Sequence, residues 1–290
     1  MNTLSLAFAN FHHVASPTAV AQLMLLAATL LAAGGLAGFL AGLFGIGGGT
    51  IIVPVLYEVF GLFSVADEVR MQLCIGTSLA IIVPTSISAF GTHWKQGVVD
   101  ADVLKAWIAP IVLGVLIGIA SARYAAPTAF KLAFVAITLL TAARIVWGSL
   151  LPNLGSDLPH GARMAGYGVA IGASSSLVGI GGGLVANMVM TLHGRPLQRA
   201  IATSSGIGII VAIPGALGYV LAGWGRSGLP PLSFGFVSLV GFLLLVPTSL
   251  VTAKAGATAA HKLPKQLLAH MFAAYLILVS ARFMLSVMSV

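Results

Sequence analysis

Charge is what this chain has least of. Of its 290 residues 7% are charged, and the acids number six: Glu58, Asp67, Glu68, Asp100, Asp102 and Asp157. A soluble domain of this length carries about a quarter Asp, Glu, Lys and Arg. The shortage excludes a soluble enzyme or a soluble binding domain. Cysteine is nearly absent too. Cys74 is the single one, inside an apolar run, so no intrachain disulfide framework exists and packing is its expected role. No Lys or Arg precedes the first apolar run, so the N-terminus is expected to stay in the mature chain and not to act as a cleaved signal peptide. No two histidines have the i, i+4 spacing of a helical metal site. Neither a metal nor a cofactor is expected. An intramembrane enzyme would need a nucleophile–base pair or a carboxylate dyad within the apolar runs, and they hold neither.

What the chain does have is apolar length. Its hydrophobic fraction is 59% and its mean hydropathy +1.06. Long apolar segments run over 18–44, 73–92, 104–122, 130–149, 164–180, 198–221, 233–252 and 266–288, with two shorter ones at 50–62 and 184–192. A bilayer core of about 30 Å needs about 20 apolar residues as a helix. The expected fold is therefore an all-α polytopic membrane protein. The 35 glycines suit close packing of transmembrane helices and would permit a homodimer. The net charge of +8 is scattered through short loops with no basic tail. Such cations set topology and touch lipid headgroups; nucleic acid is not an expected partner.

The chain also repeats itself. GLFGIGGGT at 42–50 is answered by SLVGIGGGL at 176–184, and CIGTSLAIIVP at 74–84 by AIATSSGIGIIVAIP at 200–214. SAR at 121–123 is answered by TAK at 252–254, and AARIVW at 142–147 by SARFML at 280–285. Four matches in one order predict two homologous repeats, 1–150 and 151–290, forming one integral membrane unit. Transporters built this way hold substrate between the repeats.

The second short segment spans about 14 Å as a helix, half a bilayer, so broken or re-entrant helices are expected at the two glycine clusters. If the short pieces only complete a crossing, there are eight spans and parallel repeats. If they cross or reverse direction, there are ten and the repeats are inverted. The positive-inside rule does not choose. Eight spans put Arg70, Arg123, Lys131, Arg195, Arg199, Lys254, Lys262 and Lys265 on the richer side. Ten put Lys95, Lys105, Arg144, Arg163, Arg195, Arg199, Lys254, Lys262 and Lys265 there. Both arrangements place the termini outside and loop 253–265 in the cytoplasm.

The site candidates follow from the glycines. Gly45, Gly47, Gly48, Gly49 and Thr50, and then Gly179, Gly181, Gly182 and Gly183, end a long segment and begin a short one. Glycine turns sharply and exposes backbone N–H groups. The following helix adds its positive dipole end, and together they can hold an anion without a basic side chain. The alternative is close helix packing through small residues. No strand precedes either cluster and no Lys-Ser/Thr follows, so a nucleotide loop is excluded.

Thr77 and Ser78, and Thr203, Ser204 and Ser205, either donate to an oxyanion or bond back to their own helix carbonyls. Asn187 is polar amid apolar neighbours. Arg144 and Arg282 match in the repeat and either contact the anion or reach headgroups. Glu58 alone among the acids sits in an apolar segment, either as an intramembrane carboxylate or at the interface. His93, His193 and His270 either carry protons or serve as hydrogen-bonding structural groups.

GLFGIGGGTIIVPVL with IGTSLAII, and LVGIGGGLVANM with IATSSGI, resemble the TauE/SafE sulfite-exporter family, also called the sulfonate-uptake permeases. The resemblance covers nearly the whole chain. It implies a duplicated permease of about eight spans in a prokaryotic cytoplasmic membrane, with sulfite, organosulfonates or other small organic anions as substrates. It points to Gly45, Gly47, Gly48, Gly49 and Pro54 with Thr77 and Ser78, and to Gly179, Gly181, Gly182 and Gly183 with Thr203 and Ser204. Met188 stands where the family often has proline. The expected activity is secondary transport of a small sulfur-containing oxyanion. The alternatives are an anion channel or a cation-coupled carrier of another small organic anion. No ATP-binding motif is present, so coupling is expected from an ion gradient (H+ or Na+), the substrate's own gradient or a partner.

Overall fold

The computed structural model describes residues 17–44, 48–148, 155, 157–260 and 262–288. Ten helices form among them. The first five are α1 (Pro17–Phe44), α2 (Gly49–Leu62), α3 (Asp67–Lys95), α4 (Ala101–Tyr124) and α5 (Pro127–Trp147). The second five are α6 (Ala162–Val178), α7 (Gly183–Leu192), α8 (Leu197–Ala222), α9 (Leu239–Ala260) and α10 (Lys265–Met288). Seven of them are long and apolar enough to cross a membrane. The chain is an all-α polytopic membrane protein. At 17 residues, α6 is about 26 Å long, just under the hydrocarbon thickness.

Local chemistry sets the helix boundaries. Asp100 caps α4 by accepting from the Val103 N–H, and Asp102 follows in the first turn, favoured by the helix dipole. Pro127 starts α5, where its missing N–H costs nothing. Pro54 lies inside α2 and deprives the Thr50 carbonyl of its helical donor. The Tyr275 hydroxyl, from α10, donates to that carbonyl at 3.3 Å instead.

The two sets of five helices pack reciprocally. The first helix of each set lies on the fourth of the other: α1 on α9, and α6 on α4. The third lies on the third, α3 on α8, and the fifth on the fifth, α5 on α10. Contact order gives the directions. Along α1, Gly34, Gly38 and Gly42 meet Leu245, Ser249 and Ala253 in turn, so α1 and α9 run parallel. Along α4, Gly114 meets Val169 and Gly118 meets Ser176, so α4 and α6 are parallel too. Gly76 meets Tyr219 while Ser86 meets Gly208, so α3 and α8 are antiparallel. Lys131 bonds Ser286 and Thr138 bonds Ser280, so α5 and α10 are antiparallel.

Antiparallel pairing of like helices places their relating two-fold across the helices. The arrangement is therefore inverted, and each short helix runs back along the long one before it. This matches the ten-element alternative, in which α2 and α7 reverse the chain. Pro17 and Met288 then lie at one face. The opposite face holds the positions of Lys95, Lys105, Arg144, Arg163, Arg195, Arg199, Lys254, Lys262 and Lys265.

The apolar segment expected at 233–252 is shifted. Residues Ser233–Phe234 (β1) and Val237–Ser238 (β2) form a two-stranded antiparallel hairpin, and α9 starts only at Leu239. Gly235, at φ 52°, turns the hairpin against Val220. The Phe236 N–H donates to the Tyr219 carbonyl at 3.1 Å.

Candidate functional site

The two glycine turns come together near the centre of the bundle. Gly45 and Gly47 lie outside the described residues. Gly48 precedes α2 with φ 46°, and Gly182 precedes α7 with φ 79°. Neither cap has a side-chain hydrogen bond. Positive φ is why glycine stands there. The first N–H groups of a helix have no acceptor within it, so α2 and α7 each present uncapped donors and a positive dipole end. A methyl group on Gly49 would come within 2.5 Å of the Gly179 carbonyl oxygen and 2.7 Å of Ile180 Cα. The first turn therefore touches the second. Gly179, at φ 73°, and Gly181, at φ 65°, shape the second turn. The Ser78 hydroxyl pins it by donating to the Gly179 carbonyl at 2.9 Å.

Three buried side-chain oxygens around these turns have no hydrogen-bond partner: Thr50 Oγ1, Ser175 Oγ and Asn187 Oδ1. Thr50 belongs to the first turn of α2 and is wholly buried. Ser175 is 1% exposed. It lies one turn after Ile171, on the same side of α6, and Ile171 Cγ2 packs 3.5 Å from where a Gly182 Cβ would be. Asn187 follows Gly183 by one turn, on the face beside Ser204 Oγ, which lies 3.8 Å from a Gly183 Cβ position. Burying an unpaired polar group costs about 1–3 kcal/mol. Three such groups stand on the helices that flank the two glycine turns.

The Thr and Ser residues divide by role. The Thr77 hydroxyl accepts from the Ser238 N–H at 2.9 Å, and the Thr203 hydroxyl accepts from the Asp100 N–H at 2.9 Å. Each thus holds the residue just before the fourth helix of the other set. Ser204 and Ser205 donate to their own helix, to Ile201 O at 2.9 Å and Ala202 O at 2.6 Å.

The charged candidates stand elsewhere. Arg144 donates to the Gly148 carbonyl at the end of its own helix. Arg282 and Glu58 face each other with Nε–Oε1 and Nη2–Oε2 both at 3.1 Å, and both are about half exposed. Of the three histidines, His193 contacts the Val189 carbonyl and His270 the Gln266 carbonyl through Nδ1, whereas His93 Nδ1 is buried without a partner.

Sequence reasoning missed two groups. Ser175 carries no mark in the sequence beyond the SSS run at 174–176. Lys131, read only as a topology charge, is 2% exposed. Its ammonium donates to Ser286 Oγ at 2.9 Å and lies 5.1 Å from the centre of the Tyr57 ring. Arg70 lies 5.3 Å from the same ring and pairs with Asp67.

Two cavities lie away from the turns. One, of about 710 Å³, opens on the face opposite the termini and is lined by Asp100, Asp157, Arg195 and Arg199 among others. Arg195 joins Asp157 at 2.9 Å and Asp100 at 3.7 Å. The other, of about 460 Å³, is an apolar groove between α1, α2 and α10. Among the described residues no group of three His, Cys, Asp or Glu side chains could hold a metal ion.

Comparison with known proteins agrees with this architecture. The family described as "Sulfite exporter TauE/SafE" matches residues 30–283. A probable membrane transporter protein of Haemophilus influenzae is 34% identical over 251 residues, covering 86% of this chain and 95% of that protein. One from Methanocaldococcus jannaschii is 26% identical over 80% of this chain and 83% of its own length. One from Bacillus subtilis, YunE, is 25% identical over 87% of this chain and 95% of its own length. No solved structure matches. With ten packed helices, seven of spanning length, and a family match across nearly all of them, this membrane transporter protein belongs to the sulfite exporter TauE/SafE family.

Proposed function

We propose that the protein is a secondary transporter of a small sulfur-containing oxyanion, bound between the two glycine turns. One observation carries this reading. Gly49, in the first turn of α2, packs on the Gly179–Ile180 turn that leads into α7, both short helices start without a side-chain cap, and Thr50, Ser175 and Asn187, on these turns and helices, have buried oxygens without a partner. Backbone N–H groups and helix dipoles favour an anion there. The two hydroxyls and, after a turn of its amide, Asn187 supply further donors. No basic side chain is required, and the arginines stand apart.

The sulfur chemistry rests on the family name. The carboxylate that a cation-coupled carrier would use, Glu58, is already paired with Arg282, which favours the anion reading. The charge distribution supports a cytoplasmic location for the face rich in Lys and Arg and an outer location for both termini. The membrane would be the prokaryotic cytoplasmic one, with a homodimer permitted. Energy would come from an H+ or Na+ gradient or from the substrate's own.

The test is the unfolding midpoint of purified protein against sulfite, sulfate, thiosulfate, taurine, isethionate, sulfoacetate, acetate and sodium. A ligand that binds the native state raises the midpoint as its concentration passes Kd. A concentration-dependent rise with one sulfur oxyanion is expected, abolished in Gly48→Leu. A response to sodium or acetate alone would overturn the reading. So would transport of the identified substrate that survives Gly48→Leu combined with Gly182→Leu.

A further inference from the structure

The groove between α1, α2 and α10 joins an apolar channel to one exposed pair of opposite charges. Its walls are Ala32, Leu36, Val55, Val59, Leu278 and Val279. Leu36 and Leu278 are 55% and 69% exposed at its mouth. These helices include two of spanning length, so the mouth faces lipid. At one end of α1 the chain packs on α10. Phe44 packs on Phe272 with ring centres 4.9 Å apart. Towards the face carrying the termini the groove runs between these two helices, lined also by α2.

At that end stands the Glu58–Arg282 pair. Glu58 is four residues before the end of α2, and Arg282 six before the end of α10. At about 1.5 Å per residue, they lie about 6 and 9 Å from the ends of these helices, towards the face carrying the termini. Arg282 uses Nε and Nη2 on Glu58, which leaves Nη1 to donate outward. Glu58 keeps further acceptor capacity on both oxygens. The pair presents one positive and one negative group side by side at the surface.

We propose that this groove is a binding site for one zwitterionic aminophospholipid. One acyl chain lies in the apolar channel. The lipid phosphate accepts from Arg282, and the lipid ammonium donates to Glu58. A headgroup with phosphate alone would meet Glu58 as a like charge. A headgroup with a methylated amine could not donate to it.

The test uses the full chain in a mild detergent, stripped of loosely held lipid. Phosphatidylethanolamine, phosphatidylcholine or phosphatidylglycerol is then added and retention is read by native mass spectrometry. One phosphatidylethanolamine per chain is expected, held about tenfold more tightly than the other two, a modest preference of the size one charged contact supplies. Ala32→Phe fills the channel from an exposed position and should abolish retention. Arg282→Gln should lower it about tenfold, with unchanged helix content and elution volume in both. Equal retention of the three lipids, preference for phosphatidylglycerol, or retention unaffected by both substitutions would overturn the proposal. Because no sulfur oxyanion enters this measurement, its failure leaves the transport reading untouched, and the reverse holds as well.

Discussion

The turn into α2 and the turn into α7 each end on a glycine at positive φ, and the side chains around them differ at nearly every matching place. Both follow a long helix and open a short helix that has no side-chain cap. The side chains are not shared. Where the second turn has Ser175, the first has Ala41, four residues before the matching glycine. Where the first has Thr50, the second has Leu184, and where the second has Asn187, the first has Val53. Each turn thus brings polar groups at places where the other is apolar. In the proposed site the helix N-termini would supply donors to any anion, and the unlike side chains would decide which anion and in which pose.

The largest effect that separates the turns should come from their glycines. Gly182→Ala adds a methyl 2.8 Å from Ile207 Cγ2 and 3.1 Å from Val211 Cγ2, at φ 79°. Backbone strain of about 1–2 kcal/mol then adds to overpacking of about 1–3 kcal/mol. Gly48→Ala, at φ 46°, meets only the flexible tip of Ile52 at 3.0 Å and should show the strain alone. Unfolding midpoints in detergent rank the two. Equal losses would erase the distinction.

Next come the two threonine clamps, alike in length and unlike in surroundings. Thr77→Val strands the Ser238 N–H in a dry interior and should cost about 2–3 kcal/mol. Thr203→Val strands the Asp100 N–H beside the 710 Å³ cavity, where water can replace the lost acceptor, and should cost about 1 kcal/mol or less. Hydrogen exchange at these two amides checks the difference directly.

A smaller effect, on binding and not on folding, belongs to Ser175. Removing an unpaired buried hydroxyl is nearly neutral for stability. Ser175→Ala should therefore leave the midpoint unchanged while weakening the responsive oxyanion about tenfold, the loss of one hydrogen bond to a charged ligand. Ala41→Ser, at the matching place, should not strengthen it. A loss of fold in Ser175→Ala would assign that hydroxyl to packing. The smallest effect is expected at Asp157→Asn. Asp157 is 62% exposed, and such a pair contributes about 0–1 kcal/mol.

The long helices were legible because an apolar run of bilayer length has few alternatives. The limits of α9 were not. Residues 233–238 are apolar enough to open a helix, but Gly235 turns them into a hairpin. At the other end the apolar run stops at 252, yet α9 continues to Ala260, with Gly256 inside it where its bare surface lets the Phe39 carbonyl approach. The direction of α2 and α7 was also hidden. Composition gives a short helix its apolarity and not its sense, and the loop charges suited both topologies.

In the site, the glycine turns could be read from the sequence, since positive φ demands glycine. Ser175 could not, because what marks it is the lack of a partner in three dimensions. Thr77 and Thr203 were recognisable as a matched pair. Their acceptance of N–H groups from across the bundle depends on contacts more than 20 residues away in sequence. Arg144 and Arg282 matched as well, but one ends its own helix and the other found Glu58.

The glycine seam between α1 and α9 constrains how the protein can be made. The α1 surface of Gly34, Gly38 and Gly42 closes against a helix whose last residue is Ala260. At a synthesis rate of about 5–20 residues per second, α1 waits on the order of 10–40 s in the bilayer before α9 is complete. During that wait its small-residue face is open to lipid and to any other nascent helix. The same holds in reverse for α4, which meets α6 soon after synthesis and so forms an early docked pair. Assembly from the middle of the chain outward is then expected, with α1, the first of the described helices, among the last to find its place.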